Sequence, residues 1–397
     1  MTAPRSSEGP GLYLHLPFCS EVCPYCDFAV VKASEARRRR FASAITREIE
    51  RVGPLERAGF DTVYFGGGTP SLLPAEDLAA LLEACRRHLG VLPDSWVFLE
   101  ANPEDVTAES LEAWRRLGVR TLSLGVQSFD DAELAFLGRR HSGRGAEEAV
   151  HRAKAAGFST VSLDLIFGLP GQDQAALRRS LERALALEPD HLSAYQLTVH
   201  EGTAFGTRRR KGQLAELGED GQADLFGLLH RVLADHGLAA YEVSNFARGP
   251  EHRSRHNQKY WRHAPYLGLG PSAHSFDGRR RRSWNERRLD GWLRRLDLGQ
   301  RPLAGWEDLE PEALALEAVM LGLRTTEGID LASFTERYGF DLAAANAARL
   351  ERWREQGLVR LEDGRLAATL AGLAVADGLV AALELEPALP GTTMAPC

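Results

Sequence analysis

Leu12-Tyr-Leu-His-Leu16, followed by Cys19-x3-Cys23-x2-Cys26, is the stretch on which the fold turns. The first five residues read as a short β-rich run, and the cysteines sit on whatever loop leaves it. Five similar runs follow at Thr62–Phe65, Val97–Ala101, Thr121–Val126, Thr160–Ile166 and His191–Leu197. Between them lie amphipathic helical patterns at Glu35–Val52, Ala75–Leu89, Ala108–Leu117, Gly145–Ala156 and Gln174–Leu187. Strands alternating with helices predict an α/β fold, a parallel sheet with helices outside. Six such units suit a partial barrel or an open doubly wound sheet; periodicity does not separate the two.

The whole chain has 397 residues, 44% hydrophobic and 26% charged, the balance of a soluble globular protein. Two or three domains are expected, at ~150 residues each. Net charge is −7, so no global basic field draws in nucleic acid. Residues Met1 to Pro10 carry no charged segment leading into an apolar one, so no secretory signal is expected. No apolar run reaches the ~18 residues of a membrane span. The most apolar stretch, Leu366 to Leu383, is broken by Thr369 and Asp377 and reads as a packed helix. These features predict a cytoplasmic protein. An odd cysteine count of 5 in a reducing compartment argues against a disulfide framework.

Three of the five cysteines fall within eight residues. Structural zinc wants a closed set of four ligands, and Cys85 and Cys397 are distant and form no second knuckle. Three clustered thiolates suit a [4Fe–4S] cluster with one iron left open. Spacing, the aromatic Tyr25 before the third cysteine, and the strand–loop context resemble the radical S-adenosylmethionine (SAM) superfamily. The resemblance implies that Cys19, Cys23 and Cys26 hold the cluster and that the open iron binds the methionine end of SAM. In that superfamily one electron from the cluster then cleaves SAM to a 5′-deoxyadenosyl radical. Phe65-Gly-Gly-Gly-Thr-Pro70 follows the second run and lacks the lysine of a phosphate loop. Alone it reads as a tight turn; beside the cysteines, Gly67, Gly68 and Thr69 resemble the segment that holds the methionine amino group.

Polar residues stand at the carboxyl ends of the predicted strands, where α/β folds place ligands. Their contexts, Leu99-Glu-Ala-Asn-Pro, Gly125-Val-Gln-Ser-Phe and Asp164-Leu-Ile-Phe-Gly-Leu-Pro170, resemble the oxygen-independent coproporphyrinogen III dehydrogenase family. The resemblance spans about Tyr13 to Leu385. It implies a partial (βα)6 barrel in which Glu100 binds the ribose hydroxyls. Tyr13, Tyr25, Gln127, Arg139, Asp164 and Thr198 would line the rest of the SAM site.

Two departures separate the chain from that dehydrogenase. The position of its fourth cysteine is Phe28, and only eighteen residues precede Cys19. A third feature, His256-Asn-Gln-Lys-Tyr-Trp261, resembles the His-Asn-x-x-Tyr-Trp motif of the HemW-type haem chaperones, a sister branch. Imidazole is a common axial ligand of haem iron, and Tyr260 and Trp261 offer flat apolar area. The resemblance assigns haem to His256, Asn257, Tyr260 and Trp261, with His252, His263 and His274 open as alternative ligands. It implies handover to haem-containing acceptor proteins, membrane proteins among them, and so peripheral contact with a membrane. The alternative is radical decarboxylation of coproporphyrinogen.

The motif lies in a basic segment: Arg248–Arg301 holds 14 Arg and Lys against 5 Asp and Glu, a net of +9. It shows little periodicity. Pro302–Leu385 holds 7 against 15, a net of −8, which disfavours phosphate contacts. There, helices followed by a hairpin at Gly357–Gly364 suggest a small winged-helix-like domain. The expected organisation is a barrel core over 11–200, a connecting segment over 201–301 and the C-terminal domain over 302–385.

Overall fold

Strand β1, Gly11–Leu16, points Leu12, Leu14 and Leu16 into the buried layer beneath the outer helices, while Tyr13 and His15 take the other face. The same alternation builds β2 (Thr62–Gly67), β3 (Trp96–Ala101), β4 (Val119–Gln127), β5 (Thr160–Phe167) and β6 (His191–Gln196). The structure, a computed structural model, describes residues 9–53 and 59–388. Residues 1–8, Cys397 and all of the proline-rich tail beyond Ala388 lie outside the described residues.

Helices α1 (Glu35–Val52), α2 (Ala75–Leu89), α3 (Ala108–Leu117), α4 (Gly143–Ala156) and α5 (Gln174–Ala186) join these strands. Their ends are written in short-range chemistry. Ser34, Ser142 and Asp173 cap first turns by accepting backbone N–H groups, and Thr107 with Ser110 forms a capping box. Gly90, Gly118 and Gly157 end α2, α3 and α4 in the left-handed region. Strands β1 to β6 pair parallel in sequence order. Their inward side chains enclose one cavity of about 420 Å³, so the sheet is curved into a partial barrel rather than left open.

The segment 201–301 is built into that barrel. Strands β7 (Ala239–Glu242) and β8 (Asn245–Ala247) extend the β6 edge antiparallel. Strand β9 (Tyr266–Leu269) pairs parallel with β1, and β10 (His274–Phe276), β11 (Arg281–Asn285) and β12 (Leu303–Asp308) continue from it. The 12-stranded order is β12-β11-β10-β9-β1-β2-β3-β4-β5-β6-β8-β7. Helix α6 (Glu219–Asp235) leads into β7, and α7 (Arg255–Trp261) precedes β9. Helix α8 (Leu289–Asp297) packs against α1 by way of Trp292 and Phe41, whose rings stack at 5.3 Å.

The C-terminal unit has its own core around Ala315, Val319, Phe334 and Leu366. Helices α9 (Pro311–Leu323) and α10 (Leu331–Tyr338) pack on a three-stranded sheet. Its hairpin, Val359–Glu362 with Arg365–Ala368, turns at Asp363-Gly364, both at positive φ of 50° and 72°. One expectation is corrected here. Leu366 to Leu383 is not one helix: it opens inside that hairpin strand and continues as helices at Leu370–Leu373 and Ala376–Ala382. The tight turn before it sets a strand register that overrides the apolar run.

One buried carboxylate ties the barrel wall together. Glu48 on α1 is 1% exposed and accepts hydrogen bonds from Gly270 N–H (2.8 Å), Asn285 Nδ2 (2.6 Å) and Trp292 Nε1 (3.2 Å). Burial pushes its pKa up to about 7 against these three donors. Replacing Glu48 with Ala orphans all three, at about 1–3 kcal/mol for each unsatisfied buried group, offset by relief of the carboxylate's own desolvation. We expect Glu48→Ala to lose roughly 3 kcal/mol of unfolding free energy in urea, and Glu48→Gln, which keeps an acceptor, to lose less. Equal stability of Glu48→Ala and the parent would contradict this role.

Candidate functional site

The cysteine loop is closed at its neck by a short parallel pair, Phe18–Cys19 with Val31–Lys32. Cys26 N–H returns to Cys23 O at 3.1 Å, which turns the loop over the cavity. All three thiols are unpaired, partly exposed, and line that one cavity. Thr69 Oγ1 donates to Cys19 Sγ at 3.7 Å, and Arg139 Nη1 to Cys23 Sγ at 3.6 Å. Burial, reinforced by the neighbouring thiols, pushes Cys19 up to about 11; burial also raises Cys26. Cys19 and Cys26 therefore need a cationic partner to ionise fully. Among the described residues no three His, Cys, Asp or Glu groups converge on a single metal ion.

The glycine run lies directly under this loop. Gly67 has φ 112°, and a Cβ there would come 2.6 Å from His15 Nδ1. A Cβ on Gly68 would come 2.6 Å from Phe18 O. The close approach lets Gly68 N–H reach Leu16 O at 2.9 Å and Thr69 N–H reach Phe18 O at 2.7 Å.

The strand-end residues meet in the same cavity. Glu100 accepts from Tyr64 Oη at 2.8 Å and Gly67 N–H at 3.2 Å, and burial pushes its carboxyl up to about 7. Asp164 accepts from Ser123 Oγ at 3.0 Å and is pushed by burial up to about 6. Gln127 is held at φ 66°, a left-handed strain at a bulge in β4. Arg139 donates through Nη2 to Asn102 Oδ1 (2.5 Å) and Gly125 O (2.9 Å), while its buried Nε has no partner. Tyr25 and Thr198 also line the cavity. Tyr13 stands behind it, its hydroxyl on His15 Nδ1 at 3.1 Å. Tyr64 and Asn102 were not singled out from the sequence. The alternation of β2 and the Leu99-Glu-Ala-Asn-Pro context carried the only signal for them.

The His-Asn-x-x-Tyr-Trp motif is placed differently from the expectation of an offered imidazole beside flat aromatics. It forms α7, which plugs the base of the barrel. His256 is 1% exposed. Its Nδ1 meets Thr62 Oγ1 at 2.9 Å and its Nε2 meets Tyr260 Oη at 2.9 Å, so neither nitrogen faces a ligand. The ring packs 5.2 Å from Tyr64, and burial lowers its pKa to about 3. Lys259, equally buried, bonds Asp61 at 2.8 Å and Gly9 O at 2.5 Å. Asn257 looks into the main cavity. Trp261 faces a second cleft of about 500 Å³, shared with Phe334 and Tyr338 of the C-terminal unit. The motif's four residues thus serve three different environments. The imidazole loses its exposure because its partners, Thr62 and Tyr260, satisfy both polar atoms in the interior.

Three free thiols over a glycine-floored cavity at the carboxyl ends of parallel strands are the arrangement of a radical SAM barrel. Residues 13–184 match the Radical SAM superfamily model, and residues 309–375 the HemN C-terminal domain. A Mycobacterium tuberculosis protein named heme chaperone HemW is 39% identical over 385 residues, 96% of each chain. A Bacillus subtilis protein of the same name is 34% identical over 350 residues, 87% of this chain and 92% of its own. A Bos taurus protein named radical S-adenosyl methionine domain-containing protein 1, mitochondrial, is 35% identical over 394 residues, 95% and 88%. Among solved structures, coproporphyrinogen III oxidase HemN from Escherichia coli superposes with a TM-score of 0.81 over 95% of this chain and 91% of its own, at 22% identity. That likeness shows the fold. The chain belongs to the HemW family. The superfamily implies a [4Fe–4S] cluster and SAM, and the residues present fit both: three unpaired thiols, a floor no side chain can fill, and an orphaned guanidinium N–H.

The buried histidine gives a pH test. His256 has a folded pKa of about 3, below the ~6.5 of an unfolded histidine. Between those values the unfolded chain binds the proton and the folded chain does not. Its contribution is therefore complete above pH ~6.5 and is lost as pH falls toward 3. His256→Gln should cost about 1–2 kcal/mol at pH 7.5 and show a shallower loss of stability on going to pH 5. Urea midpoints at the two pH values decide it; an unchanged pH slope in the variant would contradict a buried neutral imidazole.

Proposed function

We propose that the chain is a haem chaperone: it carries a [4Fe–4S] cluster on Cys19, Cys23 and Cys26, binds SAM in the cavity below, and takes haem as cargo for haem-containing acceptor proteins. The observation that carries this reading is likeness over nearly the whole chain to proteins named heme chaperone. Phe28, exposed at 66%, supports it from the site: it puts an apolar ring at the cavity mouth. Glu100 would hold the ribose hydroxyls, since a carboxylate accepts two hydrogen bonds at once. Gly67, Gly68 and Thr69 would cradle the methionine end, and Gln127, Arg139, Asp164 and Thr198 would complete the wall. The bound cluster supplies an electron and an open iron; the chain's own residues position SAM and exclude water. The cytoplasm is the proposed compartment, because free thiols reserved for iron need reducing conditions. Acceptors would include membrane proteins met at the surface, in keeping with the absence, among the described residues, of a helix long and apolar enough to cross a membrane.

Two measurements test this. Anaerobically reconstituted protein should hold four irons and four sulfides, with an electron paramagnetic resonance signal that changes on adding SAM; Cys23→Ala should lose most of that cluster. The same protein should bind haem saturably and leave coproporphyrinogen unconverted in the presence of SAM and reductant. Efficient decarboxylation, or no haem binding, would overturn the chaperone reading.

A further inference from the structure

If haem is the cargo, its iron needs an axial ligand, and the two ends of the barrel narrow the choice. Among the described residues three histidines line the main cavity: His191, His200 and His252. His191 has both ring nitrogens engaged, by Ser162 and Tyr241. His252 Nδ1 meets Thr160 Oγ1 at 3.0 Å, at the start of β5 and so at the sealed base. Away from the cavity, His15, His256 and His263 are engaged at both nitrogens. His141, His230 and His236 each meet a backbone carbonyl. His88 and His151 stand on the outer helices α2 and α4. His274 is stacked on Trp284, so a ligated porphyrin would lie across that indole, and its neighbours Arg280, Arg281 and Arg282 are already paired with Glu310, Asp308 and Glu317.

His200 differs from all of these. It follows the end of β6, at the carboxyl end of the barrel, and its side chain is 46% exposed. Its backbone is fixed. Thr203 Oγ1 donates to His200 O at 2.7 Å, and a Cβ on Gly206, in the short helix Ala204–Arg210, would come 2.2 Å from that carbonyl. Only the imidazole is left to turn. Its Nδ1 stands 3.8 Å from Asp27 Oδ2, and no hydrogen bond among the described residues engages Nε2. A carboxylate beside one ring nitrogen orients the other toward a metal. Asp27 itself sits between Cys26 and the exposed Phe28, and all three line the cavity with His200. Two cations stand close by. Arg287 donates to Asp27 O at 2.7 Å, and Arg208 lies 5.7 Å over the Phe205 ring. Phe205 is fastened to the cysteine loop, its N–H on Pro24 O at 2.9 Å. Neither guanidinium meets a carboxylate among the described residues, so each is open to a porphyrin propionate.

Resting on the cargo reading, we propose that His200, oriented by Asp27, is the axial ligand to the iron of a metalloporphyrin seated across the cavity mouth against Phe28, with Arg208 and Arg287 at its propionates. The cavity below, about 420 Å³, is then left for SAM. His256 belongs to the barrel plug and acts on haem only through the fold.

The test is a spectroscopic haemin titration of the full-length, cluster-reconstituted protein and its variants; the loaded cluster keeps the cysteines from taking the haem. His200→Ala should weaken binding about tenfold or more and lose the imidazole-ligated Soret and low-spin resonance signature, with iron–sulfur content unchanged. Added free imidazole should restore the signature in His200→Ala. Asp27→Asn should keep the signature and weaken binding about tenfold, because it acts through the ligand. Arg208→Ala with Arg287→Ala should lose affinity for haemin but not for its dimethyl ester, which lacks the free carboxylates. If wild type binds haem and His200→Ala keeps its affinity and spectrum, the assignment is overturned while the chaperone reading stands. If His274→Ala or a well-folded His256→Gln abolishes the signature and His200→Ala does not, the ligand is that other histidine and the assignment is again overturned. If wild type binds no haem, the cargo reading itself fails.

Discussion

The cysteine loop hangs over its cavity by two backbone hydrogen bonds that pass beneath a glycine. Gly68 N–H to Leu16 O and Thr69 N–H to Phe18 O lock the end of β2 under the exit of β1. No side chain fits at Gly68, because the loop backbone already occupies that volume. From this interlock follow the position of Cys19, the bond from Thr69 to its sulfur, and the depth below the thiols at which Glu100 and Asp164 line the cavity. Loosening the interlock would detach the thiols from the residues proposed to hold SAM.

The two ends of the barrel use opposite chemistry. The mouth keeps groups whose ionisation is unsettled: thiols raised by burial, and two carboxyls pushed toward neutrality. These are the marks of a site prepared for charged ligands. The base is sealed by α7 with fully paired groups, a neutral His256 and an ion-paired Lys259. A closed base leaves the mouth as the side from which the proposed cofactor and cargo would enter.

The barrel was legible because its signals are local. Helices α1, α2 and α3 fall at Glu35–Val52, Ala75–Leu89 and Ala108–Leu117, as their apolar spacing predicts. The cysteine spacing, the glycine run and the strand-end residues also lie within short windows, and all but Tyr13 line the cavity. Arg248–Arg301 was opaque for the opposite reason. Its strands β9 to β11 are 3–5 residues long, too short for a period to show. The seven-residue α7 carries His and Lys on faces that only distant partners make interior: Thr62 lies 194 residues from His256. Tyr260, one turn on in the same motif, supplies one partner of the imidazole; the other, Thr62, is beyond the reach of any local pattern.

The proposed function stands on one chain holding a cluster and a porphyrin at the same time. Native mass spectrometry of anaerobically purified protein, loaded with haem after cluster reconstitution, reads this directly. The account predicts a species whose mass exceeds the chain by one [4Fe–4S] cluster plus one haem, with a cluster-only species shifting to it as haem is added. Haem adducts that appear only on chains lacking the cluster would contradict it.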